Sequence, residues 1–349
     1  MDALRHGGHQ VELASTLRAW EGRGDTQRQN RIRRVGERLA VHLVKRYSNR
    51  PALKRPQVWF TYHLYHRAPD WLGPMISDAL SIPYVVAEAS HAPKQAKGPW
   101  AVGHVAVAEA IRQAQVVIPL TSVDAVCVRP LLSDQSRLVP LKPFIDVDRF
   151  VLQRPQQRVT VAGQLGLDTG HPWLIAVGMM REGDKLASYR VLASALEGML
   201  DKRWNLLIVG DGPARRTVEG AFRSLSDRVS FAGLKSIDSM PVLYSVADLC
   251  VWPAINESYG MSLLEAQAAG LPVVAARTGG VMDVVRDGVS GLLVSPGDVH
   301  AFRQAMSTLL CDPERREQMG RAAQNLALSE HDISEAAATL NQALTMVTA

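Results

Sequence analysis

Short runs of apolar and β-branched residues alternate along the chain with segments long enough to form a helix. A strand that is followed by a crossover helix pairs with the next strand in parallel. The alternation therefore predicts the α/β fold class, with doubly wound parallel sheets covered by helices on both faces. The expected strands are Val58–Tyr62, Tyr84–Ala87, Val116–Pro119, Leu174–Val177, Leu206–Val209, Val229–Phe231, Leu249–Trp252, Pro272–Ala275 and Leu292–Val294. The clearest expected helices are Leu186–Leu200, Tyr259–Ala269 and Val299–Leu310.

The length of 349 residues exceeds that of one ordinary domain and predicts two. The break is expected within Leu141–Arg158, where two prolines and mixed charge precede a new pattern that starts with a strand. We expect two Rossmann-like domains facing a cleft, over residues 1–150 and 151–330, and a final helical segment over 331–349.

The first fifteen residues predict the end of a helix, a turn at Gly7–Gly8 and a strand at Val11–Leu13. A doubly wound domain normally begins instead with a buried strand and a Gly-rich turn. We therefore expect the first strand of the N-terminal domain and its loop to be absent. Either Met1 is an internal methionine, which we favour, or the protein is a shortened form.

Positive charge is concentrated in the N-terminal half. Residues 1–150 contain 21 Lys and Arg against 13 Asp and Glu, and Arg28–Arg55 contains ten of these basic residues and one acid. Two interpretations stay open: a solvated face of a helix that packs on the core, or a surface for anionic lipid headgroups or another acidic partner. Nucleic acid is not expected, because no recognition motif accompanies the charge. An amphipathic helix is predicted by apolar residues at three- and four-residue steps: Ile32, Val35, Leu39, Leu43 and Tyr47.

Cellular location follows from what the sequence lacks. No apolar run approaches the roughly 20 residues of a membrane helix, and the first residues lack the apolar core of a signal peptide. The cysteines Cys127, Cys250 and Cys311 lack the spacing of a zinc site or a disulfide framework. We expect a cytoplasmic protein without a metal, peripheral to the inner face of the membrane if the basic helix binds lipid.

The most informative stretch runs from Asn256 to Ala275. A strand ends near Trp252, a loop carries Glu257, and a helix begins near Gly260. The free amides and positive dipole of a helix N-terminus suit a diphosphate. Glu257 could then accept hydrogen bonds from sugar hydroxyls, and Glu265, about one and a half turns into the helix, from a ribose. Taken alone, this spacing also fits two glutamates on a solvated surface.

Residues 172–310 resemble the retaining GT-B glycosyltransferases of family 4. Glu257 and Glu265, with Gly260 between them, match the two-glutamate motif of that family. Further pieces follow in the family's order: Val209-Gly210-Asp211-Gly212-Pro213, Phe231-Ala232-Gly233, Leu243-Tyr244-Ser245-Val246-Ala247-Asp248, Gly279-Gly280-Val281 and Asp287-Gly288-Val289-Ser290-Gly291.

The resemblance implies a nucleoside-diphosphate sugar as donor, with UDP-sugar slightly favoured, and no cofactor. It assigns Glu257 to the donor sugar and Glu265 to the ribose. The family also places an Arg and a Lys beside the diphosphate leaving group. Lys185 matches the Lys, whereas Met179 stands where the Arg is usual and Arg181 is a shifted candidate. Other residues expected beside the donor nucleotide are Gly210, Tyr259, Gly260, Met261, Gly279 and Gly280.

The N-terminal half resembles the family more loosely. His63 and His66 are expected to follow one strand, and Glu88 and His91 the next, at the edge where parallel sheets bind ligands. We expect His63 and His91 to face the reacting sugar, and His66 and Glu88 to lie on the acceptor side. For each one alone, a structural role is an equal alternative.

The resemblance thus implies a retaining glycosyltransferase with a glycan, lipid or small-molecule acceptor. The leaving phosphate oxygen removes the acceptor's proton, so that no protein nucleophile is needed. The final helix is expected to return to the N-terminal domain. Two alternatives stay open: a nucleotide-sugar epimerase of the same fold, and a catalytically dead fragment that only binds nucleotide sugar.

Overall fold

The computed structural model describes residues 1–150, 155–165 and 168–348. The chain forms two compact units, one of Met1–Lys142 with Ala336–Ala349 and one of Pro143–Glu335. The first division lies within the expected break Leu141–Arg158, of which residues 151–154 and the side chains of residues 155–158 lie outside the described part. The last helix contributes its residues from Ala336 onward to the N-terminal unit.

The N-terminal unit contains a parallel sheet of three strands in the order β1-β2-β3. Every residue of β2 is buried, as expected of a strand with neighbours on both sides and helices on both faces. Its apolar core gathers around Leu43, Ile76 and Ile111. The strands are β1 Trp59–Leu64, β2 Tyr84–Ala89 and β3 Val116–Ile118. The helices are α1 Asp2–His6, α2 Thr26–Ser48, α3 Gly73–Leu80, α4 Ala101–Gln113 and α5 Ser122–Val128.

The C-terminal unit contains a parallel sheet of six strands in the order β6-β5-β4-β7-β8-β9. Numbered within the unit, this is the order 3-2-1-4-5-6 of the Rossmann fold. Ligands bind such sheets beyond the carboxyl ends of the two strands where the order reverses, which here are β4 and β7. The strands are β4 Trp173–Val177, β5 Asn205–Val209, β6 Val229–Gly233, β7 Leu249–Trp252, β8 Val273–Ala276 and β9 Gly291–Val294.

The helices of the C-terminal unit cover both faces of this sheet and include the three that the sequence predicts most clearly. Each begins and ends within a few residues of its predicted bounds. In chain order the helices are α6 Pro155–Leu165, α7 Asp184–Glu197, α8 Arg215–Ala221, α9 Met240–Ser245, α10 Met261–Ala268, α11 Val281–Val284, α12 Val299–Cys311, α13 Pro313–Glu330 and α14 Ile333–Thr348, the last of which continues into the N-terminal unit.

The predicted α/β fold class is confirmed, and each expected strand from Val58 onward is present. The strand expected at Val11–Leu13 is wrong, because residues 9–22 form neither helix nor strand. This segment is held by a side-chain contact instead of a strand pairing. The Glu12 carboxylate accepts hydrogen bonds from Arg46 and Arg50, each at 2.8 Å.

The basic segment lies in α2 as far as Ser48, which confirms the predicted helix there, and Asp25 caps the N-terminus of α2 by accepting a hydrogen bond from the Arg28 amide at 3.0 Å. Its buried face includes Leu43 and Tyr47, whereas Val35, expected in the same stripe, is 44% exposed. Within the described residues, no helix has the length and apolar character needed to cross a bilayer.

Candidate functional site

The loop that follows β7 carries Glu257 and is held in place by α7. The Ile255 amide donates to Ser188 Oγ at 3.0 Å, and Asn256 Nδ2 donates to Asp184 Oδ2 at 2.9 Å. Asn256 has a φ of 52°. This left-handed backbone conformation is uncommon in residues other than glycine, and asparagine adopts it more often than most. The loop is therefore fixed against α7, the helix that follows β4, at the point where the strand order reverses.

A glycine turn after β8 lies against the other side of this loop. The Gly280 amide donates to the Ser258 carbonyl oxygen at 3.0 Å, so this amide is already engaged within the protein. A Cβ at Gly279 would lie 2.2 Å from the Glu257 carbonyl oxygen. Only glycine permits this approach, and the turn thereby supports the backbone of the Glu257 loop.

The side chains of Lys185 and Glu257 meet beyond the carboxyl ends of β4 and β7. Lys185 Nζ forms an ion pair with Glu257 Oε2, and Trp252 Nε1 donates to the same oxygen at 3.1 Å. The ammonium also lies 5.4 Å from the centre of the Trp252 ring. The Lys185 side chain is 26% exposed and that of Glu257 16%, so both charges can contact a ligand.

Glu265 lies on α10, one turn after the helix begins at Met261. Gly260 precedes the helix with a φ of 71°, a conformation that glycine adopts without strain. The hydroxyl of the buried Tyr244 lies 2.9 Å from Glu265 Oε2. Burial raises the pKa of Glu265, and the hydrogen bond from Tyr244 and the charge of Arg149 oppose this rise.

Lys185 and Arg181 lie on different elements: Lys185 is in the first turn of α7, and Arg181 is in the loop after β4. Arg181 is exposed, its Nη2 lies 2.6 Å from Met179 Sδ, and among the described residues it forms no ion pair. The loop itself packs on the loop after β5, because a Cβ at Gly210 would lie 2.0 Å from the Gly178 carbonyl oxygen. Of the two expected cations, only Lys185 contacts Glu257 in this structure.

His63 and Glu88 lie inside β1 and β2, and not beyond their ends as expected from the sequence. Both have positive φ, 68° and 55°, and His63 Nδ1 lies 2.8 Å from Glu88 Oε1. The hydrogen bond to the carboxylate raises the pKa of His63, and burial opposes it. The apolar runs end before this polar pair, which is why the sequence placed the strand ends too early.

The other two histidines of the N-terminal unit lie in separate surroundings. The His91 ring is buried and centred 4.3 Å from the ring of His104, and its pKa is lowered by burial and then by His104. His66 packs edge-on against Tyr65 and Trp100, and burial lowers its pKa. Sequence reasoning missed His104, because no motif signalled it.

Three residues around the two glutamates were also not predicted as site residues: Trp252, Tyr189 and Tyr244. Tyr189 packs edge-on against Trp252 with ring centres 4.9 Å apart. A signal was available for Trp252, since the last residue of a parallel strand lies at the ligand-binding edge. In the part of the chain that the structure describes, no three His, Cys, Asp or Glu side chains converge to hold a metal ion.

The C-terminal unit is similar in sequence to a known enzyme family. Residues 171–312 match the family model of the glycosyl transferases group 1. The fold class is that of the GT-B glycosyltransferases. A crystal structure of Anabaena Alr3699/HepE in complex with UDP shares this fold, with a TM-score of 0.73 and 18% identity over 88% of this chain and 82% of that one.

The chain matches only part of the length of each of two curated relatives. A D-inositol 3-phosphate glycosyltransferase of Nocardia farcinica is 33% identical over 54% of this chain and 43% of the relative. A 2-deoxystreptamine N-acetyl-D-glucosaminyltransferase of Streptomyces fradiae is 30% identical over 72% of this chain and 62% of the relative. The chain thus spans about half the length of these two relatives, and less than two thirds of either.

The contact between His63 and Glu88 predicts the effect of removing the carboxylate. In the Glu88→Gln variant we expect the pKa of His63 to fall, because the amide accepts a hydrogen bond without stabilising the imidazolium charge. Titration of the imidazole resonances by NMR measures this shift. Glu109→Gln, an exposed change on α4, is the control and should leave the His63 titration unchanged. An unaltered His63 titration in Glu88→Gln would contradict the assignment.

Proposed function

We propose that this protein is a retaining glycosyltransferase that moves a sugar from a nucleoside-diphosphate sugar to a glycan, lipid or small-molecule acceptor. The observation that carries the proposal is the contact between Lys185 and Glu257 at the point where the Rossmann sheet reverses its strand order. A cation for the leaving group and a carboxylate for the sugar lie side by side there. The family match over residues 171–312 includes both residues.

The donor occupies the C-terminal unit in this proposal. Glu265 accepts hydrogen bonds from the ribose, and the amides of Met261 and Ser262 at the start of α10 bind the diphosphate, whereas the next two amides already donate to the Gly260 carbonyl oxygen. Glu257 accepts hydrogen bonds from hydroxyls of the donor sugar. A uridine nucleotide is favoured, and the UDP complex of Anabaena Alr3699/HepE, a protein of the same fold, supports this choice.

Lys185 acts on the leaving group. The bond between the anomeric carbon and the phosphate oxygen breaks while the acceptor oxygen bonds to the same carbon from the same face. Negative charge grows on the diphosphate, and a fixed ammonium nearby stabilises that charge more in the transition state than in the bound donor. The departing phosphate oxygen takes the acceptor's proton. Lys185 and the α10 dipole supply the positive charge, so the reaction proceeds without a metal.

The exposed face of α2 is the proposed contact with an anionic membrane. Arg31, Arg34, Arg38 and Lys45 are spaced so that they share one face of the helix, and all four are exposed. None of them forms an ion pair with a described residue, and Val41 between them is 64% exposed. A row of unpaired cations around an apolar side chain suits lipid headgroups, and it supports the proposal that the protein lies peripherally at the cytoplasmic leaflet.

The donor assignment predicts different losses for the two glutamates. Glu265→Ala should weaken the binding of free UDP by roughly ten- to a hundredfold, because a hydrogen bond to a charged group contributes about 1.5–3 kcal/mol. Glu257→Ala should leave UDP binding unchanged and weaken UDP-glucose. Isothermal titration calorimetry with both ligands measures the difference.

The control for this experiment is Glu317→Ala, an exposed glutamate on α13 that should affect neither ligand. The ribose assignment is wrong if Glu265→Ala binds UDP as tightly as the wild type does. The proposed function itself fails if the wild type binds none of the uridine, guanosine or adenosine diphosphates or their sugars.

The membrane assignment predicts that reversing the cationic face of α2 releases the protein from anionic vesicles. Each Lys or Arg near such a surface contributes about 1 kcal/mol, so changing the four to Glu should abolish co-sedimentation with vesicles of phosphatidylserine and phosphatidylcholine. Binding of the wild type should weaken with added salt. Reversal of four exposed arginines of the C-terminal unit is the matched control and should not release the protein: Arg190, Arg216, Arg223 and Arg315. Equal co-sedimentation of the wild type with neutral vesicles would contradict the assignment.

A further inference from the structure

Each of the two motif glutamates contacts a buried aromatic side chain through one of its oxygens. Trp252, which is 1% exposed, donates from Nε1 to Glu257 Oε2 at 3.1 Å. Tyr244, which is fully buried, has its hydroxyl 2.9 Å from Glu265 Oε2. The Oε1 atom of each glutamate has no hydrogen-bond partner among the described residues. The same arrangement thus occurs twice, on two different elements.

We propose that Trp252 and Tyr244 are the positioning residues of the donor site, each holding Oε2 of one glutamate so that Oε1 faces the ligand. This inference rests on the proposed function. Each aromatic residue has a separate role: Trp252 orients the carboxylate that binds the sugar, and Tyr244 orients the carboxylate that binds the ribose.

The Trp252 ring is confined on two sides. Tyr189 packs against it edge-on, and its hydroxyl donates to the Gly178 carbonyl oxygen at 2.7 Å. A Cβ at Gly178 would lie 2.9 Å from the Trp252 ring, so the glycine is needed to make room for it. A ring that cannot turn gives its N–H one direction, and this direction leads to Glu257. Because Lys185 lies over the same ring, Trp252 contacts both members of the ion pair.

Tyr244 ties Glu265 to the start of α10. Its hydroxyl lies 3.1 Å from the Ser262 carbonyl oxygen as well as 2.9 Å from the carboxylate. Burial holds the pKa of Tyr244 well above its usual value, so the hydroxyl keeps its proton and remains a donor at neutral pH. A donor at this position also favours the charged form of Glu265, which burial otherwise disfavours.

A carboxylate with one oxygen already bound is suited to selective recognition. The occupied oxygen fixes the plane of the group, and the other oxygen then accepts hydrogen bonds from ligand hydroxyls in a defined direction. Loss of the aromatic donor leaves the glutamate present but less firmly oriented, even for Glu257, whose Oε2 keeps its contact with Lys185. An oriented group loses affinity when part of its support is removed. The affinity lost should be that of the ligand part which the particular glutamate binds.

The experiment compares two substitutions with matched controls, one that removes a hydroxyl group and one that replaces an indole ring. Tyr244→Phe removes one hydroxyl, and its control is Tyr84→Phe, another fully buried tyrosine whose hydroxyl donates to a carboxylate, Asp70 Oδ2, at 2.8 Å. Trp252→Phe removes the indole N–H. Its control is Trp204→Phe, a fully buried tryptophan whose Nε1 donates to the Met199 carbonyl oxygen at 2.9 Å.

Calorimetry with UDP and UDP-glucose over a range of pH gives the readout. Tyr244→Phe should weaken both ligands about tenfold, the effect of losing one hydrogen bond to a charged group. It should also shift the loss of UDP binding on acidification to a higher pH. The reason is that removal of the hydroxyl raises the pKa of Glu265, so the carboxylate becomes protonated more readily. Trp252→Phe should weaken UDP-glucose about tenfold and leave UDP unchanged. Neither control should alter binding or its pH dependence.

A second measurement covers the case in which Trp252→Phe fails to fold. In the wild-type protein labelled with ¹⁵N-tryptophan, the indole resonance of Trp252 should shift in Glu257→Gln and on addition of UDP-glucose. Free UDP should leave that resonance in place. The resonance is assigned as the signal absent from Trp252→Phe, or from Trp252→Tyr if the phenylalanine variant does not fold.

Two results overturn the inference. The first is that Tyr244→Phe and Trp252→Phe both bind UDP and UDP-glucose as tightly as their controls do. The second is that neither Glu257→Gln nor UDP-glucose shifts the Trp252 indole resonance. In either case binding of UDP-glucose by the wild type would still support the proposed function. Failure of the wild type to bind any nucleotide is a different outcome, which overturns the proposed function and the inference together.

Discussion

The ion pair between Lys185 and Glu257 is the contact on which the candidate site of the C-terminal unit depends. It joins the first turn of α7 to the loop after β7, and these two elements follow the strands at which the sheet reverses its order. Two partly buried charges remain stable there because each satisfies the other, and removal of one would leave its partner uncompensated. The pair therefore fixes the loop and also presents a cation and a carboxylate to whatever binds at this edge.

The backbone near the ion pair is closely packed, and this packing holds the surrounding loops in place. The loops after β4 and β5 approach so closely that a Cβ at Gly212 would lie 2.4 Å from the Met180 carbonyl oxygen, just as one at Gly210 would meet Gly178. Gly210 and Gly212 have φ of 139° and 154°, conformations that other residues adopt only with strain. The glycines are thus a condition for the packing of the loop after β4, which leads to Lys185, against the loop after β5.

The sequence predicts well what depends on local pattern. Continuous apolar runs predict the nine paired strands of the described residues, and the ordered motif indicates Glu257, Glu265 and Lys185 as site residues, which stays a prediction. It predicts poorly what depends on partners far along the chain. The Val11–Leu13 segment looked like a strand, yet Glu12 is bound by arginines more than thirty residues away. Glu88 looks like a loop residue because its charge ends the apolar run, whereas it lies within β2, whose pairing with β1 continues to Leu64 and Ala89.

In the proposed function, a nucleotide sugar binds at Lys185, Glu257 and the start of α10. Hydrogen–deuterium exchange of the backbone amides, with and without saturating UDP-glucose, tests it without altering the protein. We expect slower exchange in the loop after β4 and the start of α7, over residues 178–185, and across the loop after β7 and the first turn of α10, over residues 256–264. Binding detected by calorimetry without protection in either segment, or with protection confined to the N-terminal unit, would contradict it.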